Sequence, residues 1–493
     1  MQKSGLRNVL SRWPIYGLVL CLAALPARMS IADRDDDDHD RDRDSRPAIR
    51  PPEGIRIEPQ KPERELREMI RQVDDHRIEA TIQKLVSFGT RQTESSMTDP
   101  NRGVGAAINW VFNTMQGYAA QSSGRMTVEL QTYHQPPVAN TILNPDGVDI
   151  TNVVATIRGS VTPNRIYVIT GHIDTRCTIV TNHDCDAPGA DDDASGVAVV
   201  LETARVLSTH APESTIVLSA VDGEEQGLFG SDNQAKLFKA ANADVQGMFS
   251  NDIVGASAAE NGVRDPHRIR LFSEGIPTLD TASAAQTRVL VGGENDSQSR
   301  QLSRFVKNVA ENEDTDMTIW LMWRRDRYLR ASDHVSYQRQ GYPAAVFREP
   351  NETFPHEHQD VRVDPTTGVQ FGDLIQFDDF QFMQRVARVN VATLWALANG
   401  PGTPKGLQIV AAVLTNDTQL VWNANTDPDL AGYEVVWRET TAPDWTNAIP
   451  VGNVTTVTLP LSPKDNFQFG VRAVDKDGHH SPVAFPVTRT TPL

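Results

Sequence analysis

Residues 188–196 read PGADDDASG and put three aspartates side by side. Like charges at this spacing repel one another, and aspartate favours neither helix nor strand. Small residues flank the three, so the carboxylates have room to converge on a cation. Taken alone, Asp191–Asp193 are better explained as a turn or a helix cap. The other carboxylates and histidines of the chain decide between the two interpretations.

Several of these stand where apolar, strand-like runs end. RIYVIT runs into GHID (171–174), TIVLSAV into DGEE (222–225), VQGMFS into ND (251–252), and PHEH (355–358) follows YPAAVF. In doubly wound sheets, ligand sites gather at the carboxyl ends of the strands. Each residue alone also fits a turn, and His356 alone fits a plain loop. Four such segments together favour one shared site.

The residue types in these segments predict a pair of metal ions. Zinc binds histidine nitrogen and carboxylate oxygen, and a catalytic site keeps one position open for water. Two such ions about 3.5–4 Å apart can share one carboxylate and one hydroxide. PHEH does not have the HExxH spacing, so the helical zinc motif is excluded.

Six motifs in order resemble those of a known family. They are GHIDT, PGADDDASG, GEEQGLFGS, SNDIVG, SDH followed by YPAAVF, and HEHQD, spread over residues 171–360. The pattern resembles the co-catalytic di-zinc exopeptidases, family twenty-eight of the metallopeptidases. That family includes bacterial leucyl aminopeptidases and glutamate carboxypeptidase. The likeness covers roughly residues 75–397.

The resemblance implies two zinc ions as cofactors and five ligands for them. His172 and Asp252 would bind one ion. Glu225 and His356 would bind the other. Asp192 would bridge the two ions, and its neighbouring aspartates would satisfy turn amides or packing.

The same resemblance implies hydrolysis of a peptide bond. A hydroxide shared by the two ions would attack the carbonyl, and Glu224 would take the proton and pass it to the leaving amine. Asp174 would hydrogen-bond the far side of the His172 ring. The peptide bond between Asp192 and Asp193 is expected to be cis, as is frequent in this family.

The substrate end is set by other residues. In the family, the segment corresponding to WRRDRYLR (323–330) lies near the substrate pocket, which makes Arg327, Tyr328 and Arg330 candidate substrate contacts. Arginines there suit a clamp for a substrate carboxylate, because Arg binds carboxylates in a bidentate manner. A solvated loop that pairs with surface acids is the alternative.

The predicted enzyme is a metallo-exopeptidase acting on peptides or proteins, with an aminopeptidase as the leading interpretation. A carboxypeptidase or dipeptidase of the same fold is the alternative that the arginines favour. A glutaminyl cyclase with one zinc and a non-catalytic binding ectodomain are the remaining alternatives. Retention of both His172 and Asp252 argues against the cyclase.

The order of elements predicts an α/β fold for residues 63–400. Strand-like runs alternate with helical periodicity, which indicates a three-layer α/β/α sandwich around a mixed, mostly parallel sheet. From residue 404 to 493, short alternating strands predict a β-sandwich that resembles a fibronectin type III domain. Such a module would bind a surface or polymer, or act as a spacer.

The N-terminus predicts export. Lys3, Arg7 and Arg12 precede the apolar run 13–25, as in a signal peptide over residues 1–32 that is cleaved before Asp33. An uncleaved anchor is the alternative. The expected location is secreted or periplasmic, with no membrane span in the mature form.

The remaining composition fits an exported protein. Residues 33–62 are predicted to be a disordered acidic segment and linker. Of the three cysteines, Cys177 and Cys185 lie outside the signal peptide and are expected to form a disulfide in an oxidising compartment. The net charge of −17 excludes nucleic acid as a partner, because phosphate binding requires a positive field.

Overall fold

The computed structural model describes residues 52–491. The expected signal peptide and most of the expected acidic segment therefore lie outside the described residues. Between residues 52 and 491, no helix is both long and apolar enough to cross a membrane.

The chain forms alternating helices and strands up to residue 399 and strands after it. The helices are α1 (Arg64–Ile70), α2 (Asp75–Val86), α3 (Val104–Ala119), α4 (Gly196–Leu207), α5 (Glu224–Gly227), α6 (Phe229–Ala240), α7 (Ala282–Leu290), α8 (Gln298–Ala310), α9 (His334–Arg339) and α10 (Phe380–Asn399). The strands are β1 (Ile55–Arg56), β2 (Met126–Gln135), β3 (Val148–Ile157), β4 (Thr162–His172), β5 (Ser214–Val221), β6 (Asp244–Asn251), β7 (Arg268–Ser273), β8 (Thr318–Met322), β9 (Ala344–Arg348), β10 (Arg362–Val363), β11 (Gln370–Phe371), β12 (Gln408–Val410), β13 (Thr418–Val421), β14 (Leu430–Glu439), β15 (Asn447–Gly452), β16 (Thr456–Leu459), β17 (Phe467–Asp475) and β18 (Val487–Arg489).

Eight strands form the central sheet, in the order β2-β3-β5-β4-β6-β9-β7-β8. The pairs β5–β4, β4–β6, β6–β9 and β7–β8 are parallel, and the other three are antiparallel. This arrangement confirms the predicted mixed, mostly parallel sheet. Its parallel centre brings the carboxyl ends of β4, β5, β6 and β9 to one edge.

Helices cover both faces of this sheet. All eight residues of β5 are buried, as expected for a strand with helices above and below it. Alternate side chains of a strand point to opposite faces, so each strand contributes to two apolar cores. Three strands divide in this way, with Val153, Leu218 and Phe249 in one core and Val154, Val217 and Met248 in the other.

The C-terminal strands form two four-stranded sheets, β1-β15-β14-β17 and β16-β13-β12-β18. Trp422, Tyr433 and Phe469 lie in their shared core, and the rings of Trp422 and Tyr433 are 5.3 Å apart. β1 pairs with β15 although its sequence was expected to be linker. The first described residues therefore add an edge strand to the C-terminal domain.

A buried cluster of charges joins this domain to the central one. Asp296 accepts from Arg304 at 3.1 Å and from Arg438, on β14, at 2.7 Å. Trp445 donates its indole N–H to Gln301 on α8 at 2.8 Å. The side chains of Asp296 and Arg438 are almost completely buried, so the two domains meet through a desolvated contact.

Candidate active site

The adjacency of three strands brings together side chains that are far apart in sequence. His172 is the last residue of β4, and Asp252 follows the end of β6 directly. Glu224 and Glu225 begin α5, which is separated from the end of β5 by two residues. Because β4 pairs with both β5 and β6 in parallel, all four residues lie at one sheet edge.

Asp192 lies at the centre of this group. Its Oδ1 is 3.1 Å from Nε2 of His172, and its Oδ2 is 2.8 Å from Nε2 of His358. Asp252 Oδ1 is 3.9 Å from the same His172 nitrogen. Glu225 Oε1 is 3.1 Å from Nε2 of His358. One carboxylate therefore separates two groups of potential ligands, each with one histidine.

The other two aspartates of the triplet bind backbone amides, as predicted. Asp193 accepts from the N–H groups of His172 at 2.8 Å and Gly196 at 2.9 Å. Asp191 accepts from the N–H of Gly255 at 2.7 Å. The peptide bond between Asp192 and Asp193 is cis. The three like charges are thus directed to three different sets of partners.

Glycine at position 196 allows this loop to approach β6. A side chain there would collide with the carbonyl oxygen of Asn251 and with the carboxylate of Asp193. Gly189, at the start of the loop, has φ of 55°, a conformation that residues with a side chain rarely adopt. The small residues of PGADDDASG therefore have direct structural roles.

His356, which was predicted to be a ligand, is not among the donor groups that converge here. Its ring stacks on Phe377 with centroids 3.5 Å apart. His358, two residues later, has φ of 53°, and its imidazole faces Asp192 and Glu225. The loop thus directs the second histidine of PHEH, and not the first, towards the carboxylates.

Asp174 connects two of the strand ends. Its carboxylate accepts from the backbone N–H groups of Glu224 at 3.0 Å and Glu225 at 2.9 Å. Oδ1 of Asp174 is 3.7 Å from Nδ1 of His172, and the Asp174 carbonyl oxygen is nearer, at 3.1 Å. Asp174 therefore orients both the imidazole and the first turn of α5.

Two of the four arginines of residues 323–330 are paired with acids of this chain. Arg327 contacts Asp326 and Glu352, each at 3.1 Å, and its side chain is 10% exposed. Arg330 contacts Glu352 at 2.6 Å and also pairs with Glu357. Tyr328 is exposed, with the guanidinium of Arg324 4.0 Å from its ring centre. Of the three candidate substrate contacts, Tyr328 is the most exposed, and Arg330 is partly exposed.

Crowding of carboxylates perturbs the protonation of the site. Burial raises the pKa of Glu224 well above its usual range, and the nearby Asp252 and Glu225 add to the effect. Burial alone would lower the pKa of His358, but Glu225 and Asp192 outweigh it and raise the pKa to about 10. Burial and the mutual proximity of these groups therefore set their protonation, and not their ordinary pKa values.

These residues fit divalent metal ions. The potential ligands form two sets, and within each set the donor atoms all lie within 4.8 Å of one another. One set comes from His172, Asp192 and Asp252, and the other from Asp192, Glu357 and His358. Imidazole nitrogen and carboxylate oxygen are donors that zinc accepts. Bound cations also remove the cost of placing these acids together. Glu357 was not a candidate in the sequence analysis, because its neighbours give no strand or helix pattern.

Comparison with known proteins identifies the family of this chain. Residues 152–375 match Peptidase family M28. The chain is 49% identical over 435 residues to a "Probable zinc metalloprotease" of Pyrenophora tritici-repentis, covering 88% of this chain and 89% of the relative. The protein belongs to peptidase family M28. A second relative with the same description, from Leptosphaeria maculans, is 48% identical over 433 residues, covering 88% of this chain and 99% of the relative.

Among solved structures, the M28 domain is similar to the LapA aminopeptidase of Legionella pneumophila. That match has a TM-score of 0.49 and 18% sequence identity, and it covers 68% of this chain and 72% of the other. Within the present chain, the residues matched to the family contain His172, Asp192, Glu225, Asp252 and His358.

Proposed function

We propose that this M28 peptidase is an exported aminopeptidase that uses two zinc ions. The proposal rests on one observation, which is that the two oxygens of Asp192 face two different histidines. A carboxylate held in this way is suited to bridge two cations. The relatives described as probable zinc metalloproteases support zinc as the metal.

The ligands divide into two sets. His172 and Asp252 would hold one ion, and Glu225 and His358 would hold the other, with Asp192 common to both. Zinc at such a site polarises a carbonyl and lowers the pKa of bound water to about 7. His358 takes the role that the sequence analysis gave to His356.

Glu224 is the proposed general base and acid. Its neighbour Glu225 is a proposed ligand. The backbone N–H groups of Glu224 and Glu225 both donate to the carboxylate of Asp174. The first turn of α5 is therefore fixed, with the Glu224 side chain beside the metal ligands. Glu224 would accept a proton from the attacking water and deliver it to the leaving amine.

Charge favours the amino end of a peptide as the substrate. A carboxypeptidase needs a cation that is free to bind the terminal carboxylate, but Arg327 and Arg330 already bind Glu352 and Glu357. Glu357 also lies close to Asp192 and His358. With these two arginines occupied by acids of the chain, the amino end of a peptide is the favoured substrate end.

A panel of one short peptide in four forms tests this assignment. The peptide is offered free, blocked at the amino end, blocked at the carboxyl end, and blocked at both. An aminopeptidase cleaves the first and third forms and releases the first residue, whereas Glu224→Gln cleaves none. Turnover of the amino-blocked form with release of the last residue would instead assign a carboxypeptidase.

Export is supported by the pattern of the first 32 residues and by the disulfide between Cys177 and Cys185. Disulfides persist in oxidising compartments. Mass spectrometry of the protein recovered from its host tests the proposal. A mature chain that begins at Asp33 agrees with it, and a chain that keeps the apolar run disagrees.

A further inference from the structure

A fully buried arginine contacts one of the proposed metal ligands. Arg348 is the last residue of β9, and its side chain has no exposed surface. β9 pairs in parallel with β6, with Phe347 opposite Asn251. Arg348 follows Phe347 and Asp252 follows Asn251, so the two residues lie side by side at the edge of the sheet where the site lies.

The guanidinium group joins two carboxylates. Nη1 of Arg348 donates to the carbonyl oxygen of Asp252 at 2.9 Å and also to Oδ1 of the same residue. Nη2 donates to Oδ2 of Asp326 at 3.2 Å. Both carboxylates are buried. The planar fork of an arginine suits such a bridge, whereas the point charge of a lysine does not.

Asp326 belongs to the loop that carries the arginines. Its Oδ1 accepts from the backbone N–H of Arg327 at 2.7 Å and from Nε of the same residue at 3.1 Å. Arg327 in turn contacts Glu352 at 3.1 Å, and its distance to Glu357 is 3.7 Å. A continuous set of buried charges thus runs from Asp252 on one side of the site to Glu357 on the other.

We propose that Arg348 is a positioning residue that fixes Asp252 for metal binding and ties it to the 323–330 loop. The inference rests on the proposed function, because it takes Asp252 as a zinc ligand. It also gives the arginine-rich segment a different role from the carboxylate clamp considered in the sequence analysis. Groups that hold a ligand in place commonly change metal affinity about 10- to 100-fold when they are replaced.

The sign of the effect separates this role from simple electrostatics. A buried positive charge beside a metal site repels the cation, so its removal alone would tighten zinc binding. Loss of a support for Asp252 would weaken zinc binding instead. Arg348→Lys keeps the charge and loses the fork, whereas Arg348→Met loses both.

The experiment measures zinc affinity and zinc stoichiometry by competition with a chelator, using the full chain. The same variants are loaded with Co²⁺, and the visible spectrum reports the coordination. Both Arg348→Met and Arg348→Lys are expected to lower the affinity for one of the two zinc ions about 10- to 100-fold. Both are also expected to change the Co²⁺ spectrum. Asp326→Asn removes the charge of the second carboxylate that Arg348 contacts. It is expected to lower the affinity for the same zinc ion by a smaller factor.

The matched control is Arg165→Met. Arg165 is also a buried arginine paired with an aspartate, Asp427, at the junction with the C-terminal domain. It is expected to leave both zinc affinities unchanged. If Arg348→Met does not fold, Arg348→Lys and Asp326→Asn carry the test.

Two results overturn the inference and are distinguishable. Unchanged or tighter zinc binding in the Arg348 variants, with two ions in the wild-type protein, would refute the positioning role and leave the proposed function intact. Failure of the wild-type protein to bind zinc would refute both.

Discussion

The two carboxylate oxygens of Asp192 lie 3.1 Å from Nε2 of His172 and 2.8 Å from Nε2 of His358. These histidines come from the end of β4 and from a loop 186 residues later, so the contact depends on the folded chain. The adjacent aspartates are held by backbone amides, which leaves only the central one directed at both imidazoles. The account of the site depends on this relationship.

Two histidines of one loop should behave differently when replaced. His358→Ala is expected to reduce zinc from two ions to one per chain and to abolish peptidase activity, because the imidazole faces both Asp192 and Glu225. His356→Ala is the matched control and should keep both ions, since its ring stacks on Phe377. Atomic emission spectrometry measures the zinc content per chain, and a peptide-cleavage assay measures the activity of both variants. Zinc loss in His356→Ala alone would restore the original assignment.

Glu224→Gln should lose catalysis and keep metal. The amide cannot accept the proton of the attacking water, so kcat should fall about 10²- to 10⁴-fold. Both zinc ions should remain bound, because the proposed ligands are unchanged. Steady-state kinetics with zinc analysis on the same sample checks this prediction. A variant that retains near wild-type kcat would remove Glu224 from the mechanism.

The contact between domains should contribute strongly to stability. Arg438→Met leaves buried Asp296 with Arg304 as its remaining cation and one oxygen without this hydrogen bond, which is expected to cost about 1–3 kcal/mol of unfolding free energy. Lys307→Met breaks a partly exposed pair with Asp444 at the same interface and should cost about 0–1 kcal/mol. Denaturant unfolding compares the two. Equal effects would contradict a desolvated, ordered junction.

Acid should weaken the C-terminal domain through Glu434. Burial alone would raise the pKa of this group, but His480 and Arg472 outweigh it and lower the pKa to about 2 from an ordinary value of 4.5. Because the pKa of Glu434 is lower in the folded state than in the unfolded state, its ionised form stabilises the fold at pH values above about 4.5. This stabilisation is lost as pH falls from about 4.5 towards 2.

Glu434→Gln should therefore be less stable than wild type at pH 6, and the difference should shrink as pH falls through that window. Unfolding free energies at a series of pH values measure it, with exposed Glu439→Gln as the control. A difference that is constant from pH 6 to pH 3 would refute the linkage.

Much of the fold follows from local patterns. β5 and β6 each begin one residue before the apolar runs TIVLSAV and VQGMFS that the sequence analysis identified. These elements are long and buried, so their apolar periodicity is strong. β1 was not predicted, because its two residues are exposed and its pairing with β15 depends on the tertiary structure.

The sequence predicted those site residues that stand at the ends of strands. His172, Glu225 and Asp252 follow apolar strands, and strand adjacency brings them together. PHEH lies in a loop, where no period indicates which histidine turns inward. Arg348 also ends a buried strand, but arginine is not a metal ligand, so its residue type gave no signal at that position.

Anomalous diffraction at the zinc absorption edge, from crystals of the zinc-loaded protein, tests the central claim most directly. The account predicts two peaks, one between Asp192 and His172 and the other between Asp192 and His358. A single peak, or two peaks that do not both contact Asp192, would contradict it.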